Sequence, residues 1–207
     1  YTFTVQADCG GGDVSPNAVP VTVTTPCNAL TVFPHTEDFT TGNTSLDCWT
    51  IVNQGGPNEW NFSSGEALII YDYYGAHDDY LITPQWNVQA GVSDQITIEA
   101  INGLAAYYNE KFDVLLSTSG TSPADFNIVL ASDVTPTSSY QSYTYDLSNY
   151  AGNDVYVAFY SQTNNLYVIQ MDNFVIDGIV STDFTWSGAN NTDWSDNANW
   201  SNGTAPS

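Results

Sequence analysis

The chain has 207 residues, of which 42% are hydrophobic and 14% aromatic, so it can build a substantial core and is not a disordered chain. Its 23 acidic residues stand against one basic residue, Lys111, giving a formal net charge of −22. This charge excludes nucleic acid and anionic membranes as partners, because it repels phosphate groups. The carboxylates must be solvated or bind cations, and Ca²⁺ is the hard ion that prefers oxygen ligands.

The three cysteines are Cys9, Cys27 and Cys48. An odd number in a chain rich in Thr, Asn and Tyr indicates part of a longer secreted protein. No Cys or His residues have zinc spacing, and no apolar run approaches the roughly 18 residues of a membrane-spanning helix. The first residues lack a basic segment and an apolar segment, so we expect any signal peptide to lie upstream.

Helix signals are nearly absent, and short alternating runs are separated by Gly, Asn, Asp, Ser and Pro. Strands are predicted at 1–7 and 19–25, followed after Thr-Pro-Cys by a new unit. Its strands are predicted near residues 37–40, 48–53, 59–62, 67–72, 79–83, 95–101, 111–117, 126–132, 140–146, 154–160 and 166–178. This spacing predicts an all-β fold, a two-sheet antiparallel jelly-roll sandwich with short β segments of neighbouring modules at each end.

The last 27 residues are rich in Asn, Ser, Asp and Trp, with Trp186, Trp194 and Trp200 at regular spacing. The change in composition indicates the start of a Trp/Asn-rich repeat or spacer module. We therefore predict three parts: residues 1–26, the jelly-roll domain at 27–180, and residues 181–207.

The stretch "GAHDDYLITPQW" sets His77 beside Asp78 and Asp79. Adjacent residues of a strand face opposite ways, so the two carboxylates cannot both orient the imidazole. The chain has no GxSxG or HExxH motif, and we expect His77 to be an exposed loop histidine. A glycosidase needs two carboxyls across a cleft, and nothing in the sequence pairs Glu99 or Glu110 with a partner. We predict that the chain is not an enzyme.

Three segments, "CNALTVFPHTEDFTTGNTSLDCWTIVNQGGPNEWNF", "HDDYLITPQW" and "YVIQMDNFVIDGI", resemble the cleaved-adhesin domains in their order and spacing. These are MAM-like jelly-roll modules of secreted, cell-surface Bacteroidota proteins, including the adhesin regions of gingipains. The resemblance covers roughly residues 27–180, and residues 1–26 resemble the end of a fibronectin type III domain. A disulfide from the cysteine equivalent to Cys9 to one near that domain's start is implied by the second resemblance.

The resemblance to cleaved adhesins implies structural calcium at the loop around Asp78 and at the ends of the domain. Glu37 and Asp38 begin the first strand, and Asp172 lies in the last, where jelly-roll topology brings strands close. Asp78 and Asp79, with backbone carbonyls of the 53–58 loop, supply a second group of oxygen ligands. An alternative is that these two residues form a solvated turn.

Tyrosines are concentrated in the segments 71–80, 105–112 and 138–146. Because a tyrosine offers an aromatic face and a polar hydroxyl, it suits stacking against sugar rings. We predict a ligand-binding surface formed by Tyr73, Tyr74, Tyr107 and Tyr108. The alternative is that these side chains are ordinary half-buried strand residues.

We expect a disulfide between Cys27 and Cys48, with a pairing of Cys9 with Cys27 as the alternative. The predicted function is a non-catalytic, calcium-stabilised adhesion module, secreted or on the cell surface, that binds a glycan or protein and adjoins further modules of one chain. The alternatives are an accessory, carbohydrate-binding-like domain of a secreted protease or glycosidase, and a structural spacer in a filamentous adhesin. Membrane insertion is not expected.

Overall fold

Short strands make up most of the regular structure in the computed structural model, which describes residues 2–8, 10–12, 14–19, 21–22, 27–73, 75–164, 166–180, 185–201 and 205. The strands are β1 Thr2–Phe3, β2 Val21–Thr22, β3 His35–Glu37, β4 Thr50–Asn53, β5 Asn61–Ser63, β6 Glu66–Ile70, β7 Asp79–Ile82, β8 Trp86–Asn87, β9 Gln95–Asn102, β10 Phe112–Ser117, β11 Ile128–Val134, β12 Gln141–Asp146, β13 Asp154–Ser161 and β14 Val168–Asp177.

The helices within these described ranges are four short 3₁₀ segments, at Thr44–Cys48, Pro123–Asp125, Ser148–Tyr150 and Asn197–Asn199. In the same part of the chain, no helix has the length and apolar character needed to cross a bilayer. The chain is therefore all-β where it is described, as the sequence pattern predicts.

Two antiparallel sheets form the sandwich. The first has the order β11-β10-β13-β7-β4, with β8 continuing the edge of β13 next to β7. The second has the order β12-β9-β14-β6-β5, with β3 and β6 sharing one edge of β14. These non-sequential neighbours confirm the predicted jelly-roll sandwich, in which the last strand lies beside the first of the domain.

A tight hairpin joins β5 to β6 through Ser64 and Gly65, whose φ angles are 60° and 81°. Positive φ at both central positions is the property of a type I′ turn, which matches the twist of the strands that it connects. The serine-glycine pair therefore fixes the register in which Ser63 faces Glu66.

Aromatic side chains fill the space between the sheets. Phe159 of the first sheet and Phe174 of the second meet with ring centroids 6.1 Å apart, and Trp49 lies 5.2 Å from Phe174. β9 alternates strictly between partly exposed and buried residues, the pattern of a sheet with one solvated face. The predicted inward face of β13, with Val155, Val157 and Phe159, lies in this core.

The outer face of the first sheet carries a second apolar cluster. Tyr80, Ile82, Leu115 and Ala158 lie there with Phe126, which follows the 3₁₀ segment Pro123–Asp125. This cover buries every residue of β7. It explains why three consecutive apolar residues, "YLI", follow Asp79 where a one-sided strand would alternate.

A disulfide joins Cys27 to Cys48, 21 residues later, which is the pairing expected from the sequence. It ties the segment before the first strand of the sandwich to the end of a 3₁₀ helix. Cys9 lies outside the described residues.

The two ends of the chain contain short β contacts of their own. β1 pairs with β2 near the N-terminus, and Trp186 forms an isolated bridge with Trp200 near the C-terminus. The rings of Trp186 and Trp194 stack 5.5 Å apart, and that of Trp194 lies 4.3 Å from Trp200. The assignment of these ends to a fibronectin-like domain and to a repeat module stays a prediction.

Candidate functional site

Three loops at one end of the sandwich form a cleft lined by tyrosines. The cavity has a volume of about 240 Å³, and its walls are Tyr71, Leu104, Tyr108, Leu166 and Tyr167. These residues come from the segment after β6, from the loop between β9 and β10, and from the segment before β14. We call this feature the tyrosine cleft.

The three aromatic rings of the tyrosine cleft are nearly parallel. The ring of Tyr167 lies 6.3 Å from that of Tyr71 and 6.4 Å from that of Tyr108, with interplanar angles of 19° and 23°. Each of these tyrosine residues is about two-fifths exposed, at 40% for Tyr71, 41% for Tyr108 and 40% for Tyr167. Part of each residue is therefore open to a ligand.

Backbone hydrogen bonds fix the position of the rings. The N–H of Tyr71 donates to the carbonyl of Tyr167 at 2.8 Å, and the Asn58 side chain donates to the carbonyl of Tyr71 at 2.7 Å. On the other wall, buried Asn102 donates from Nδ2 to the carbonyl of Tyr108 at 2.6 Å, and its Oδ1 accepts from Leu104 N–H at 3.1 Å. The cleft is thus held by polar contacts behind the rings.

A glycine allows the two walls to approach. A Cβ atom at Gly103 would lie 2.8 Å from Cγ1 of Val168 and 3.5 Å from Cε1 of Tyr167. Only a residue without a side chain lets the 102–110 loop pack this closely against the start of β14.

The predicted ligand-binding tyrosines are only partly in the cleft. Tyr108 lines it, whereas Tyr73 and Tyr107 lie in the same loops at 70% and 81% exposure. Tyr74 lies outside the described residues. Tyr167 is a lining residue that the sequence does not predict, because the stretch around it resembles an ordinary strand. Tyr71 is a second one, although it belongs to the tyrosine-rich segment 71–80.

A buried polar cluster connects the same three inter-strand segments. Nδ1 of His77 lies 2.7 Å from Oδ2 of Asp79, and the N–H of His77 donates to the carbonyl of Thr163 at 2.8 Å. The hydroxyl of Thr163 in turn donates to the carboxylate of Glu110. Burial raises the pKa of Glu110, and the hydrogen bond from Thr163 partly opposes this effect.

The expectation of an exposed loop histidine was wrong, because His77 is 4% exposed. Residues two apart on an extended chain share a face, so Asp79 rather than Asp78 reaches the imidazole. Asp79 is fully buried, and its backbone carbonyl accepts from the Trp60 indole at 3.3 Å. Its Oδ1 has no hydrogen-bond partner among the described atoms.

Asp78 has different surroundings from its neighbour. The 53–58 loop contacts its backbone, with the N–H of Gln54 donating to the carbonyl of Asp78 at 3.0 Å. On the outer face of the first sheet, burial raises the pKa of Tyr160, and the nearby Asp78 carboxylate raises it further. The same two causes raise the pKa of Tyr80.

The carboxylates predicted at the domain ends do not meet at one point. Glu37 pairs with Phe174 across β3 and β14, so it shares the core face; it is 2% exposed and accepts from Phe39 N–H at 3.2 Å. Asp172 pairs with Glu99, whose strand neighbours Ile98 and Ala100 are in the core. Asp172 therefore lies on the opposite, outer face of the second sheet.

Asp172 is surrounded by other acidic groups. Burial raises its pKa, and the nearby carboxylates of Glu66, Glu99 and Asp38 raise it further. Of the two residues predicted to join Asp172, Asp38 therefore lies near it and Glu37 does not. Among the described residues, no group of three or more His, Cys, Asp or Glu side chains is arranged to hold a metal ion.

Comparisons with known proteins agree with this fold. A family model described as Cleaved Adhesin Domain matches residues 42–176. Hemagglutinin A of Porphyromonas gingivalis strain W83 is 28% identical over 155 residues, a match that covers 62% of this chain and 6% of that protein. The chain therefore spans only a small part of the length of this relative.

Two solved structures share the architecture. The K1 cleaved adhesin domain of Lys-gingipain from P. gingivalis has a TM-score of 0.56 at 19% identity, covering 72% of this chain and 99% of that one. The K3 domain of the same protein has a TM-score of 0.55 at 19% identity, covering 70% and 98%. The family model matches well over half of the 207 residues, so the chain belongs to the cleaved adhesin domain family.

Proposed function

We propose that this chain is a non-catalytic extracellular adhesion module of a secreted or surface protein, and that it binds a glycan or protein at the tyrosine cleft. The observation that carries the proposal is the set of three nearly parallel, half-exposed rings of Tyr71, Tyr108 and Tyr167. The names of the relatives, an adhesin domain and a hemagglutinin, support a binding role.

The chemistry of the cleft suits reversible binding. Aromatic side chains offer a large contact area at small cost in conformational entropy, and tyrosine adds a hydroxyl that can donate and accept hydrogen bonds. The segments that carry the rings are held by hydrogen bonds, and the rings stack on one another, so we expect little ordering when a ligand binds. Such preorganisation improves affinity without new contacts.

The acidic residues near the cleft are poorly placed for hydrolysis. Glu110 is 2% exposed and bonded to Thr163, and Glu99 lies on the outer sheet face, where it accepts from Ser142 and Asn173. A glycosidase needs two carboxyl groups on either side of one substrate bond. These two groups are engaged by different partners and supply no such pair, which supports a non-catalytic role.

The test is binding of the full chain to arrays of immobilised oligosaccharides and extracellular proteins, followed by titration of the strongest ligand. Tyr167→Ala should weaken that binding at least about tenfold, because central aromatic side chains dominate interface energies. Tyr140→Ala is the control, since this ring is similarly exposed at 38% but is not part of the cleft lining. Unchanged affinity in Tyr167→Ala, with the fold intact, would contradict the proposal.

We also propose that Ca²⁺ stabilises the domain, on the grounds of charge. One member of each of the two predicted ligand groups is engaged elsewhere, because Glu37 faces the core and Asp79 is bonded to His77. Asp38 and Asp172 remain, beside two further carboxylates that raise the pKa of Asp172. A divalent cation there would relieve repulsion between like charges.

Thermal unfolding in EDTA, Ca²⁺ and Mg²⁺ at matched ionic strength tests the calcium proposal. We expect a rise in Tm specific to Ca²⁺, because a ligand that binds only the folded state stabilises it. Asp172→Asn should reduce that rise. An equal effect of Mg²⁺ and Na⁺ would instead mean simple screening of the net charge.

A further inference from the structure

We infer that the ligand of the tyrosine cleft is an uncharged glycan, and that the module discriminates against sialylated, sulfated and uronate-containing glycans. The inference rests on the proposed function, and adds the chemical class of the ligand. It follows from the charge of the whole chain together with the residues that line the cleft.

In the part of the chain that the structure describes, the lysine and both histidines are paired with acidic groups or buried. Lys111 is the one basic residue of the sequence, and its ammonium donates to Asp133, which raises the pKa of the lysine. Burial lowers the pKa of His35, and His77 is buried against Asp79. Recognition of carboxylate or sulfate generally uses Arg or Lys in charge-assisted hydrogen bonds, and the sequence contains no arginine.

The surrounding field acts against anions as well. A formal net charge of −22 produces a negative potential that lowers the local concentration of anionic ligands and slows their association. Glu110 is buried two residues from Tyr108 in the same loop. An anionic glycan would therefore lose its hydration without gaining a compensating partner.

The lining itself carries no charge of either sign. Three tyrosines and two leucines surround the cavity, so the contacts on offer are aromatic faces, aliphatic surface and phenolic hydroxyls. The C–H face of a pyranose ring stacks on such aromatic faces, while its hydroxyl groups exchange hydrogen bonds with phenols. An arginine or lysine side chain could also stack on tyrosine, but none of the five described lining residues has a carboxylate to pair with it.

The size of the cavity favours a single ring. Its volume of about 240 Å³ lies below the roughly 300–1,000 Å³ of pockets that enclose drug-sized ligands. The cleft therefore takes one sugar unit, and the rest of a chain would pass over solvent-exposed loops. Tyr73 and Tyr107, at 70% and 81% exposure, lie in those loops.

The experiment compares matched neutral and anionic sugars on the full chain. The probes are cello-, manno- and chito-oligosaccharides and lactose, against sialyllactose and a heparin oligosaccharide, with an arginine-rich peptide as the cationic probe. Each is titrated at about 0.1 M and about 1 M NaCl, between which the Debye length falls from about 10 Å to about 3 Å. We expect a neutral sugar to bind independently of salt and to lose at least about tenfold affinity in Tyr167→Ala.

The outcomes separate the two proposals. Equal or tighter binding of an anionic sugar that depends on Tyr167 would overturn the neutral class and leave the cleft as the binding site. Salt-sensitive binding of the arginine-rich peptide alone, again dependent on Tyr167, would do the same and identify a cationic protein segment as the ligand. Binding of any probe that is unaffected by Tyr167→Ala, or no binding of any probe, would overturn the neutral-glycan inference. Binding that is unaffected by Tyr167→Ala would also count against the cleft as the binding site.

Discussion

Tyr71 and Tyr167 are joined twice, by a 2.8 Å hydrogen bond between their backbones and by stacking of their rings at 6.3 Å. The backbone contact extends the pairing of β6 with β14, in which Val168 faces Ile70, by one step beyond the sheet. The rings are therefore positioned by sheet geometry rather than by a free loop. This rigidity is what a binding surface needs in order to keep its shape without a ligand.

Removing the imidazole of His77 should destabilise the fold. His77→Ala leaves the carboxylate of Asp79, which is fully buried, without the hydrogen bond that it now has. Leaving a buried acceptor without its partner costs about 1–3 kcal/mol, measurable by urea unfolding. Asp79→Asn keeps an acceptor for the ring and should cost less. A loss below about 1 kcal/mol in His77→Ala would mean that the pair is not a structural support.

The pH dependence of stability should carry a signature of Glu110. Burial raises the pKa of this carboxyl in the folded state. The favourable contribution of the protonated carboxyl to the free energy of unfolding is therefore complete below its ordinary pKa of 4.5. That contribution is lost as the pH rises through the raised folded value. Glu110→Gln retains an acceptor for Thr163 and removes the ionisation.

We therefore expect Glu110→Gln to unfold at a higher urea concentration than the wild type at pH 7. The difference should shrink as the pH falls towards 4.5. The comparison with the wild type at each pH removes the common effect of the other carboxylates. A variant that is less stable at pH 7 would show that the ionised form is favoured in the fold.

Loss of the disulfide should lower stability without changing the fold class. The bond closes a loop with a sequence separation of 21, which corresponds to roughly 3 kcal/mol in the chain-entropy model. Replacing Cys27 and Cys48 together by serine should lower the free energy of unfolding by that amount. Cys9→Ser is the matched control and should have no effect. A similar loss in this control would indicate that Cys9 takes part in the native pairing.

A methyl group at Gly103 should weaken ligand binding more than it weakens folding. It would lie 2.8 Å from Cγ1 of Val168, a β-branched side chain with little rotational freedom, so the loop that carries Tyr108 must shift. Gly75→Ala is the control, because its methyl group would contact nothing within 4 Å. We expect Gly103→Ala to lower affinity at least about threefold, as for a change of several tenths of a kcal/mol. Equal affinities of the two variants would contradict this account.

The strands were predictable from the sequence because the pattern is local. Runs such as "DVYVAFY" alternate between two faces, and β13 at Asp154–Ser161 follows that pattern closely. The order and spacing of the motifs carried the family resemblance, which the match to residues 42–176 confirms. The fold class therefore needed no information about long-range contacts.

The site was less predictable because it depends on register and on loops. Glu37 and Asp172 lie on the paired strands β3 and β14, yet cross-strand pairing puts their side chains on opposite faces of the sheet. A shift of one residue would reverse a side chain's face, and spacing alone does not fix it. Tyr167 was missed for a related reason: its importance comes from rings contributed by two distant segments.

The most direct test of the tyrosine cleft is a crystal structure of the chain with its tightest-binding neutral oligosaccharide. The account predicts a sugar ring stacked on Tyr167, between the walls that carry Tyr71 and Tyr108. A sugar bound elsewhere, for example on the exposed ring of Trp194 or beside Asp172, with the cleft left unoccupied, would contradict it.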